Sequence, residues 1–291
     1  MKKILIFGNT YRPKSLPPMQ PMLSEMRHCG LHAAIDAPFA QFLQQQKGLD
    51  LSGYDIIEGD DFMGDMAFSF GGDGTLLNTA ARIGSKEIPI LGINTGHLGF
   101  LAGIARSDIA AFITDIAAGN YKIDRRTLLH VRTSDGTSLK YPFALNELSV
   151  LKQDSSSMIA ITVTIDEEPL STYLADGLLI TTPTGSTAYA LSVGGPIIAP
   201  NTPTMLITPV ASHSLTMRPL IISDSCCVKL QVCSRSQSYR ASLDGQSHTL
   251  PISTQLSVEK ADYQVLIAQS TNQTFFKTLK EKLMWGIDSR D

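Results

Sequence analysis

The first hundred residues alternate short apolar runs with amphipathic stretches. Apolar runs at 4–7, 66–68 and 88–93 each predict a buried strand. Residues 76–83, after the second run, repeat apolar side chains at helical spacing and predict a helix. Strands that alternate with helices indicate an α/β domain with an open parallel sheet, which binds ligands at the carboxyl ends of its strands.

The pattern changes after residue 119. A last helix is predicted over 107–119, with Ser107 as its N-cap and Gly119 as its stop. Short strands separated by turns follow, and two of the turns, 134–137 and 243–246, look like hairpin turns. This pattern indicates a second, all-β, sandwich-like domain. The tail at 274–286 returns to helical spacing, with apolar side chains at Phe275, Leu279, Leu283 and Trp285. We expect this C-terminal helix to pack back on the first domain with these side chains. The predicted domains are 1–119 together with 270–291, and 120–269.

A glycine-rich turn, residues 69–78, joins the second predicted strand to its helix. Gly71, Gly72 and Gly74 let backbone N–H groups approach a ligand closely, and the helix N-terminus favours anions. Asp73 would repel phosphate unless it binds a metal ion or accepts a proton, so it is a candidate base for phosphoryl transfer. The alternative is that Asp73 only caps the helix or stabilises the turn, and the loop alone does not separate the two roles.

A second glycine-containing turn, residues 94–101, follows the third predicted strand at the same edge of the sheet. It is either an ordinary strand-end turn or the other side of a binding site. In the second case Phe100 would offer its face to a ring of the ligand.

Polar stretches interrupt the β-rich part. Asn146 and Glu147 stand inside a strand-like run, which is unfavourable unless they find partners or face water from an edge strand. Asp176 precedes an apolar strand and has the same two interpretations. Residues 181–189 place five hydroxyl groups at a turn that begins a helix, and hydroxyl and N–H groups there suit a phosphate or ribose. The alternative is a serine and threonine turn without function.

Composition narrows the class of protein. The chain has 291 residues, of which 43% are hydrophobic and 18% charged, as in globular proteins with one large or two ordinary domains. A net charge of -3 gives no electrostatic reason to expect nucleic acid or an anionic membrane as a partner. The apolar runs are too short for a signal peptide or a membrane span, and the four cysteines suggest neither zinc nor disulfides. We expect a cytoplasmic protein.

Taken together, these motifs resemble those of the NAD kinase family. Gly-Gly-Asp-Gly-Thr is also similar to a motif of diacylglycerol and sphingosine kinases, whereas Thr-Pro-Thr-Gly-Ser-Thr-Ala-Tyr combined with Asn-Glu is specific to NAD kinases. One departure is Ser212, where many relatives have proline before His-Ser-Leu. The matching stretches are 71–75, 94–101, 125–128, 146–147, 176–189 with 192 and 194–196, 213–215 with 218–219, and 244–246.

The resemblance implies an α/β domain and a β-sandwich domain with NAD bound between them. It implies transfer of the γ-phosphoryl group of ATP to the 2′-hydroxyl of the adenosine ribose of NAD, which gives NADP. It also implies a divalent metal ion, usually Mg²⁺, and assembly as a homodimer or homotetramer.

The family's site residues carry over by position. Asp73 is the expected catalytic base, and Asn146 and Glu147 match residues that hold the adenine and ribose. Asp176 and Ala188 match groups near the nicotinamide amide. No residue is predicted to ligate a metal. The other expected NAD-binding positions are Gly74, Phe100, Thr187, Tyr189 and Ser192, and the expected phosphate- or ATP-binding positions are Gly71, Gly72, Thr75 and His213.

Two alternatives compete with this interpretation. One is a lipid kinase of the same superfamily, against which the hydroxyl-rich residues 182–189 favour a polar ligand. The other is a non-catalytic NAD- or NADP-binding sensor, against which Asp73 is retained together with Asn146 and Glu147.

Overall fold

The computed structural model describes residues 2–10, 16–95, 99–105, 108–153 and 157–286. The chain forms two compact units. The first comprises Met1–Arg125 with Val265–Asp291, and the second comprises Arg126–Gln264. The domain limits predicted from the sequence, at 119 and 270, differ from these unit boundaries and remain predictions.

The elements follow one another along the whole chain. Those up to residue 118 are β1 (Lys2–Gly8), α1 (Met19–His28), β2 (Leu31–Asp36), α2 (Ala37–Lys47), β3 (Asp55–Ile57), β4 (Met66–Gly71), α3 (Asp73–Ile83), β5 (Ile90–Asn94), β6 (Ile104–Ala105) and α4 (Ile109–Ala118). Those from residue 122 to 192 are β7 (Lys122–Thr133), β8 (Phe143–Ala144), β9 (Glu147–Lys152), β10 (Ile159–Ile165), β11 (Glu168–Ala175), β12 (Gly177–Thr181) and α5 (Tyr189–Ser192). The rest are β13 (Thr204–Val210), β14 (Leu220–Ser223), β15 (Val228–Cys233), β16 (Ser238–Leu243), β17 (Gln246–Pro251), β18 (Leu256–Gln269) and α6 (Phe275–Leu283).

The first unit contains a parallel sheet. Its strands pair in the order β3-β2-β1-β4-β5, and the end of β18 pairs with β5. Every residue of β4 and β5 is buried, which explains why both strands are mostly apolar, with Ser69 and Asn94 as the polar exceptions. The strand order reverses between β1 and β4, and an open sheet of this kind binds ligands beside such a reversal, at the carboxyl ends of its strands. The predicted α/β domain is confirmed.

The helices of this unit bury the faces that their spacing predicts. Leu76, Ala80 and Ile83 of α3 are buried in the core of the unit. Helix α4 buries Ile109, Phe112, Ile113 and Ile116 and ends at Gly119, whose φ of 82° is left-handed. Ser107, the predicted N-cap, lies outside the described residues.

The second unit is a β-sandwich, as predicted. One antiparallel sheet has the order β11-β10-β15-β18, with β7 pairing β18 and β8, and the other has the order β14-β13-β12-β9-β16-β17. Alternate residues of β10 and β15 are buried, which is the period expected for strands with one face on a core. Side chains from both sheets, such as Ile161 and Val150, form one hydrophobic core.

The C-terminal segment belongs to the first unit. Helix α6 begins after Thr274, whose side chain accepts a hydrogen bond from the N–H of Lys277, and it buries Leu279. Leu283 and Trp285 were predicted on its packed face, but they are 38% and 55% exposed because the helix ends at Leu283. Throughout the described ranges, helices fall short of the length and apolar character that a bilayer crossing requires.

Candidate active site

The predicted site residues fall into two groups, one in each unit. The group in the first unit is Gly71, Gly72, Asp73, Gly74, Thr75 and Phe100. The group in the second unit is Asn146, Glu147, Asp176, Thr187, Ala188, Tyr189, Ser192 and His213.

The glycine-rich turn connects β4 to α3. Gly72 occupies the N-cap position and Asp73 is the first helical residue. A Cβ atom on Gly71 would lie 2.0 Å from the Thr75 hydroxyl, so the tight turn requires glycine there. At Gly74 a Cβ atom would meet no described atom within 4 Å, so this position is open to a ligand. The turn presents N–H groups at a helix N-terminus, which suits a phosphate.

The Asp73 carboxylate reaches the loop after β5. Its Oδ2 atom accepts a hydrogen bond of 2.8 Å from the N–H of Phe100. Its Oδ1 atom accepts bonds of 3.1 Å from the N–H groups of Leu101 and Ala102. The side chain therefore holds a neighbouring loop, and the interpretation of Asp73 as a cap of α3 is wrong. Gly99 makes this approach possible, since a Cβ atom there would lie 1.7 Å from Oδ1.

A lysine from α6 lies near this carboxylate. Lys282 is partly buried and stands three residues after Leu279, on the packed face of the helix. Burial lowers the pKa of the Lys282 ammonium, and the negative charge of Asp73 acts in the opposite direction. The first unit thus places a cation within electrostatic range of a carboxylate at a helix N-terminus.

In the second unit, an aspartate holds the segment that leads into β9. The Asp244 Oδ2 atom accepts a bond of 2.7 Å from the N–H of Leu145. Its Oδ1 atom accepts bonds of 2.9 Å and 3.1 Å from the N–H groups of Asn146 and Glu147. Burial raises the pKa of Asp244, while these three donors act to lower it. The backbone N–H groups of Asn146 and Glu147 are therefore satisfied by a buried acceptor.

The same segment is held from its carbonyl side. Thr182 donates its N–H to the carbonyl of Asn146 at 2.9 Å and its hydroxyl to the carbonyl of Leu145 at 2.5 Å. Gly185 passes so close that a Cβ atom there would lie 2.2 Å from the Asn146 carbonyl oxygen. Strand β9 begins at Glu147 and pairs with both β12 and β16, so the edge-strand interpretation of Glu147 is wrong. Asn146 lies just before the strand.

Glu147 carries a partly satisfied carboxyl group. The N–H of Tyr189 donates to this group, while its Oε2 atom is buried with no hydrogen-bond partner among the described residues. Burial, together with the negative charge of Asp244, raises the pKa of Glu147 to about 7. A buried polar atom without a partner marks a place where a ligand hydroxyl can bind.

Most hydroxyl groups of residues 181–189 serve the turn itself. The Ser186 hydroxyl donates to the carbonyl of Pro183 at 2.7 Å and accepts from the N–H of Ile198 at 3.0 Å. The Thr184 hydroxyl accepts a bond of 3.2 Å from buried Arg126. Both hydroxyls therefore have internal partners, as buried hydroxyls need, and for Ser186 these bonds favour the structural interpretation of the turn.

Other predicted residues of this unit are more accessible. Thr187 and Ala188 are half-buried, Tyr189 is 38% exposed and Ser192 is exposed, on the short turn that ends in α5. Asp176 pairs with Lys152, whose Nζ atom lies 2.6 Å from its Oδ1 atom.

His213 lies in an exposed loop, and its N–H donates to the carbonyl of Leu174 at 2.9 Å. Ser212 precedes His213 in this loop. The preceding residue, Ala211, has a φ of 49°, a left-handed value that is rare outside glycine.

The described residues contain no group of three or more His, Cys, Asp or Glu side chains that could hold a metal ion. This part of the chain therefore offers no dedicated metal cage. Mg²⁺ in phosphoryl-transfer enzymes is commonly held by one or two carboxylates together with substrate phosphates and water. A single accessible carboxylate such as Asp73 fits that second arrangement.

Sequence reasoning missed three residues of these groups. Gly99 lay in a recognised turn, but its proximity to Asp73 depends on the pairing of β4 with β5. Asp244 was recognised only as a hairpin turn and a family motif. Lys282 had one local signal, which is its helical spacing from Leu279.

Comparison with known proteins identifies the family to which the chain belongs. Residues 31–121 match the family model "ATP-NAD kinase N-terminal domain", and residues 145–270 match "ATP-NAD kinase C-terminal domain". The chain is 44% identical to an NAD kinase of Bacteroides fragilis over 288 residues, which cover 99% of both chains. It is 38% identical to an NAD kinase of Cytophaga hutchinsonii over 98% of this chain and 99% of that one.

Solved structures show the same fold. A yeast NADH kinase complexed with NADH superimposes with a TM-score of 0.88 at 22% identity, over 99% of this chain and 89% of that chain. An NAD kinase from Archaeoglobus fulgidus in complex with ATP superimposes with a TM-score of 0.75 at 20% identity, over 98% and 99%. The matched domain models and the full-length relatives show that this chain belongs to the NAD kinase family.

Proposed function

We propose that this chain is an NAD kinase that transfers the γ-phosphoryl group of ATP to the 2′-hydroxyl of the adenosine ribose of NAD and releases NADP. The observation that carries the proposal is the Asp73 carboxylate, held by three N–H groups at a glycine-rich helix N-terminus. Full-length relatives named NAD kinase support the choice of substrate over a lipid.

Asp73 is proposed as the general base. A ribose hydroxyl is a weak nucleophile, and a positioned base contributes typically ~100- to 10,000-fold to such a step. Oδ2 accepts one N–H bond among the described residues and so keeps a lone pair for the hydroxyl proton. The three N–H bonds fix the direction in which that lone pair points, which supplies positioning as well as basicity.

The second unit is proposed to hold NAD. Asn146 and Glu147 would bind the adenine and ribose, with the unpaired Glu147 Oε2 atom facing a ribose hydroxyl. Asp176 and Ala188 would bind the nicotinamide amide. Gly74 and Phe100 of the first unit, with Thr187, Tyr189 and Ser192, complete the proposed NAD contacts.

The donor is proposed to be ATP, in keeping with the ATP complex of a structural neighbour. Gly71, Gly72 and Thr75 would bind its phosphates at the N-terminus of α3, and His213 is a further phosphate candidate. Mg²⁺ would be held mainly by the donor phosphates and water, and its charge would offset that of the transferred group.

The setting of the enzyme stays a prediction. We propose a cytoplasmic homodimer or homotetramer with NAD and ATP as small-molecule partners, and with neither nucleic acid nor a membrane as a partner. Size-exclusion chromatography with light scattering measures the oligomeric state directly.

The deciding experiment is an NADP-forming assay with purified protein, NAD, ATP and Mg²⁺. Asp73→Asn is expected to keep NAD binding and to lower kcat by at least about 100-fold, because the amide cannot take the hydroxyl proton. Removal of Mg²⁺ with EDTA is expected to abolish the activity, and added Mg²⁺ to restore it.

Three other results would redirect the proposal. A near-normal kcat in Asp73→Asn removes this residue from the base role. Wild-type protein that binds NAD but makes no NADP favours the sensor. Protein that does not bind NAD but phosphorylates a lipid favours the lipid kinase.

A further inference from the structure

The Asp244 side chain accepts backbone hydrogen bonds that are not part of the strand pairing. Strand β9 enters the sheet at Glu147, which pairs with Thr181 of β12. Leu145 and Asn146 precede the strand, so their N–H groups need another acceptor. The Asp244 carboxylate accepts from both and also from Glu147.

The hairpin turn itself does not require a carboxylate. Asp244 and Gly245 join β16 to β17 with φ values of 47° and 87°. Two-residue turns of this type accept Asn-Gly as readily as Asp-Gly. A carboxylate differs from the amide in having two acceptor oxygens, and both oxygens of Asp244 are used here.

The opposite side of the same segment is also bound. The Leu145 and Asn146 carbonyls accept from Thr182, which belongs to the turn that continues to Tyr189. With N–H groups held by Asp244 and carbonyls held by Thr182, the peptide units before β9 have one orientation. That orientation fixes the direction of the Cα–Cβ bonds of Asn146 and Glu147.

We propose that Asp244 is a positioning residue for NAD: it orients Asn146 and Glu147 so that both bind the adenosine half of the nucleotide. The inference rests on the proposed function of these two residues. Asp244 touches no substrate in this scheme: it acts through the backbone of residues 145–147 and, by its charge, on the pKa of Glu147. Its loss should therefore weaken NAD binding while leaving the ATP site and the base Asp73 unaffected.

The test is Asp244→Asn, which keeps the size and the turn geometry but replaces one acceptor oxygen with an NH₂ donor. If the NH₂ group takes the place of Oδ2, it faces the N–H of Leu145, and two donors repel. We expect the KM for NAD to rise at least tenfold, with the KM for ATP within twofold of wild type. Calorimetric titration with NAD alone should show the same loss of affinity.

The matched control is Asp166→Asn. Asp166 is also the first residue of a two-residue hairpin turn, with φ values of 48° and 70° at Asp166 and Glu167. Its carboxylate accepts a backbone N–H too, from Cys227 at 2.8 Å, but it is exposed and lies beside no proposed site residue. This variant is expected to keep wild-type KM values for both substrates.

Asp244→Glu keeps both acceptor oxygens one methylene further out. We expect Asp244→Glu to bind NAD more tightly than Asp244→Asn and more weakly than wild type. It also replaces Asp244→Asn as the test variant if that variant does not fold. An unchanged NAD affinity in Asp244→Asn, equal losses for NAD and ATP, or no recovery in Asp244→Glu would each overturn the proposal. If wild-type protein makes no NADP, the proposed function fails, while the NAD titration still decides the role of Asp244.

Discussion

At the scale of single residues, Asp73 and Asp244 share one arrangement. Each accepts three consecutive backbone N–H groups from a distant part of the chain, 100–102 for Asp73 and 145–147 for Asp244. A carboxylate has enough lone pairs for this, and the charge strengthens each bond. Asp73 combines this arrangement with a position at a helix N-terminus, which suits its proposed role as a general base. Asp244 lies in a hairpin turn and orients the backbone of residues 145–147.

Gly99 tests the importance of the Asp73 arrangement. Gly99→Ala places a Cβ atom 1.7 Å from the Asp73 Oδ1 atom, so the carboxylate must move. A displacement of this size at a reacting group can cost on the order of 100-fold in rate, and we expect kcat to fall by about that factor. Gly103→Ala is the control, since its Cβ atom would meet no described atom within 4 Å. A wild-type kcat in Gly99→Ala would show that the carboxylate position is not critical.

Glu147 links the site to stability. Its pKa of about 7 lies above the ordinary 4.5, so between these pH values the folded chain keeps a proton that the unfolded chain has released. The stabilisation from protonated Glu147 is therefore complete below pH 4.5 and is lost as the pH rises through 7.

We expect Glu147→Gln, which is uncharged at every pH, to be more stable than wild type at pH 8. The expected difference in the free energy of unfolding is on the order of 1–3 kcal/mol, and it should shrink towards pH 5. Urea unfolding at the two pH values measures it. An equal difference at both would mean that Glu147 ionises normally in the folded protein.

At the scale of elements, three pieces of the first unit meet at Asp73. Strand β4 and helix α3 supply the glycine-rich turn, the chain after β5 supplies the N–H donors, and α6 supplies Lys282. Leu279 anchors α6, and one turn later the same face carries the lysine. Helix α6 therefore places the Lys282 ammonium within electrostatic range of the Asp73 carboxylate.

Lys282→Met should show what this cation does. An ammonium within electrostatic range of the proposed catalytic carboxylate attracts the negative charge of a phosphoryl group, so we expect kcat/KM for ATP to fall roughly tenfold, or about 1.4 kcal/mol. Lys280→Met is the control, because Lys280 is exposed on the same helix. Comparable losses in the two variants would assign the effect to the general charge of the helix.

At the scale of the whole molecule, the two units divide the proposed work. The first carries the base and the candidate phosphate groups, and the second carries most of the residues proposed to hold NAD. A ligand that binds only the folded state raises its stability by mass action. Binding and catalysis can therefore be separated by measuring them in the same variants.

NAD at about 100 times its Kd should stabilise the protein by about 2.7 kcal/mol. For a chain of 291 residues we expect a rise in Tm of roughly 4 °C. Asp73→Asn should keep this rise, and nicotinamide mononucleotide, which lacks the adenosine half, should produce much less. An equal rise with the mononucleotide would contradict the proposed adenosine contacts at Asn146 and Glu147.

The sequence by itself determined the elements and the family. Buried strands, the packed face of α3 and the Asp244-Gly245 hairpin follow from apolar spacing and turn chemistry, which act between residues close in the chain. The motifs gave the family because several polar stretches occur together in a fixed order. None of these signals identifies the residue that a given side chain contacts in the folded protein.

Only the tertiary structure decided those partners. Asp73 finds its donors 27 to 29 residues away, and Asp244 finds its donors 97 to 99 residues away, because strand pairing brings those loops together. The same packing buries the Thr184 and Ser186 hydroxyls, which then bond within the protein, and it ends α6 before Trp285 can be covered. Hydrogen bonds depend on positions to within a fraction of an ångström, and the register of the sheets sets those positions.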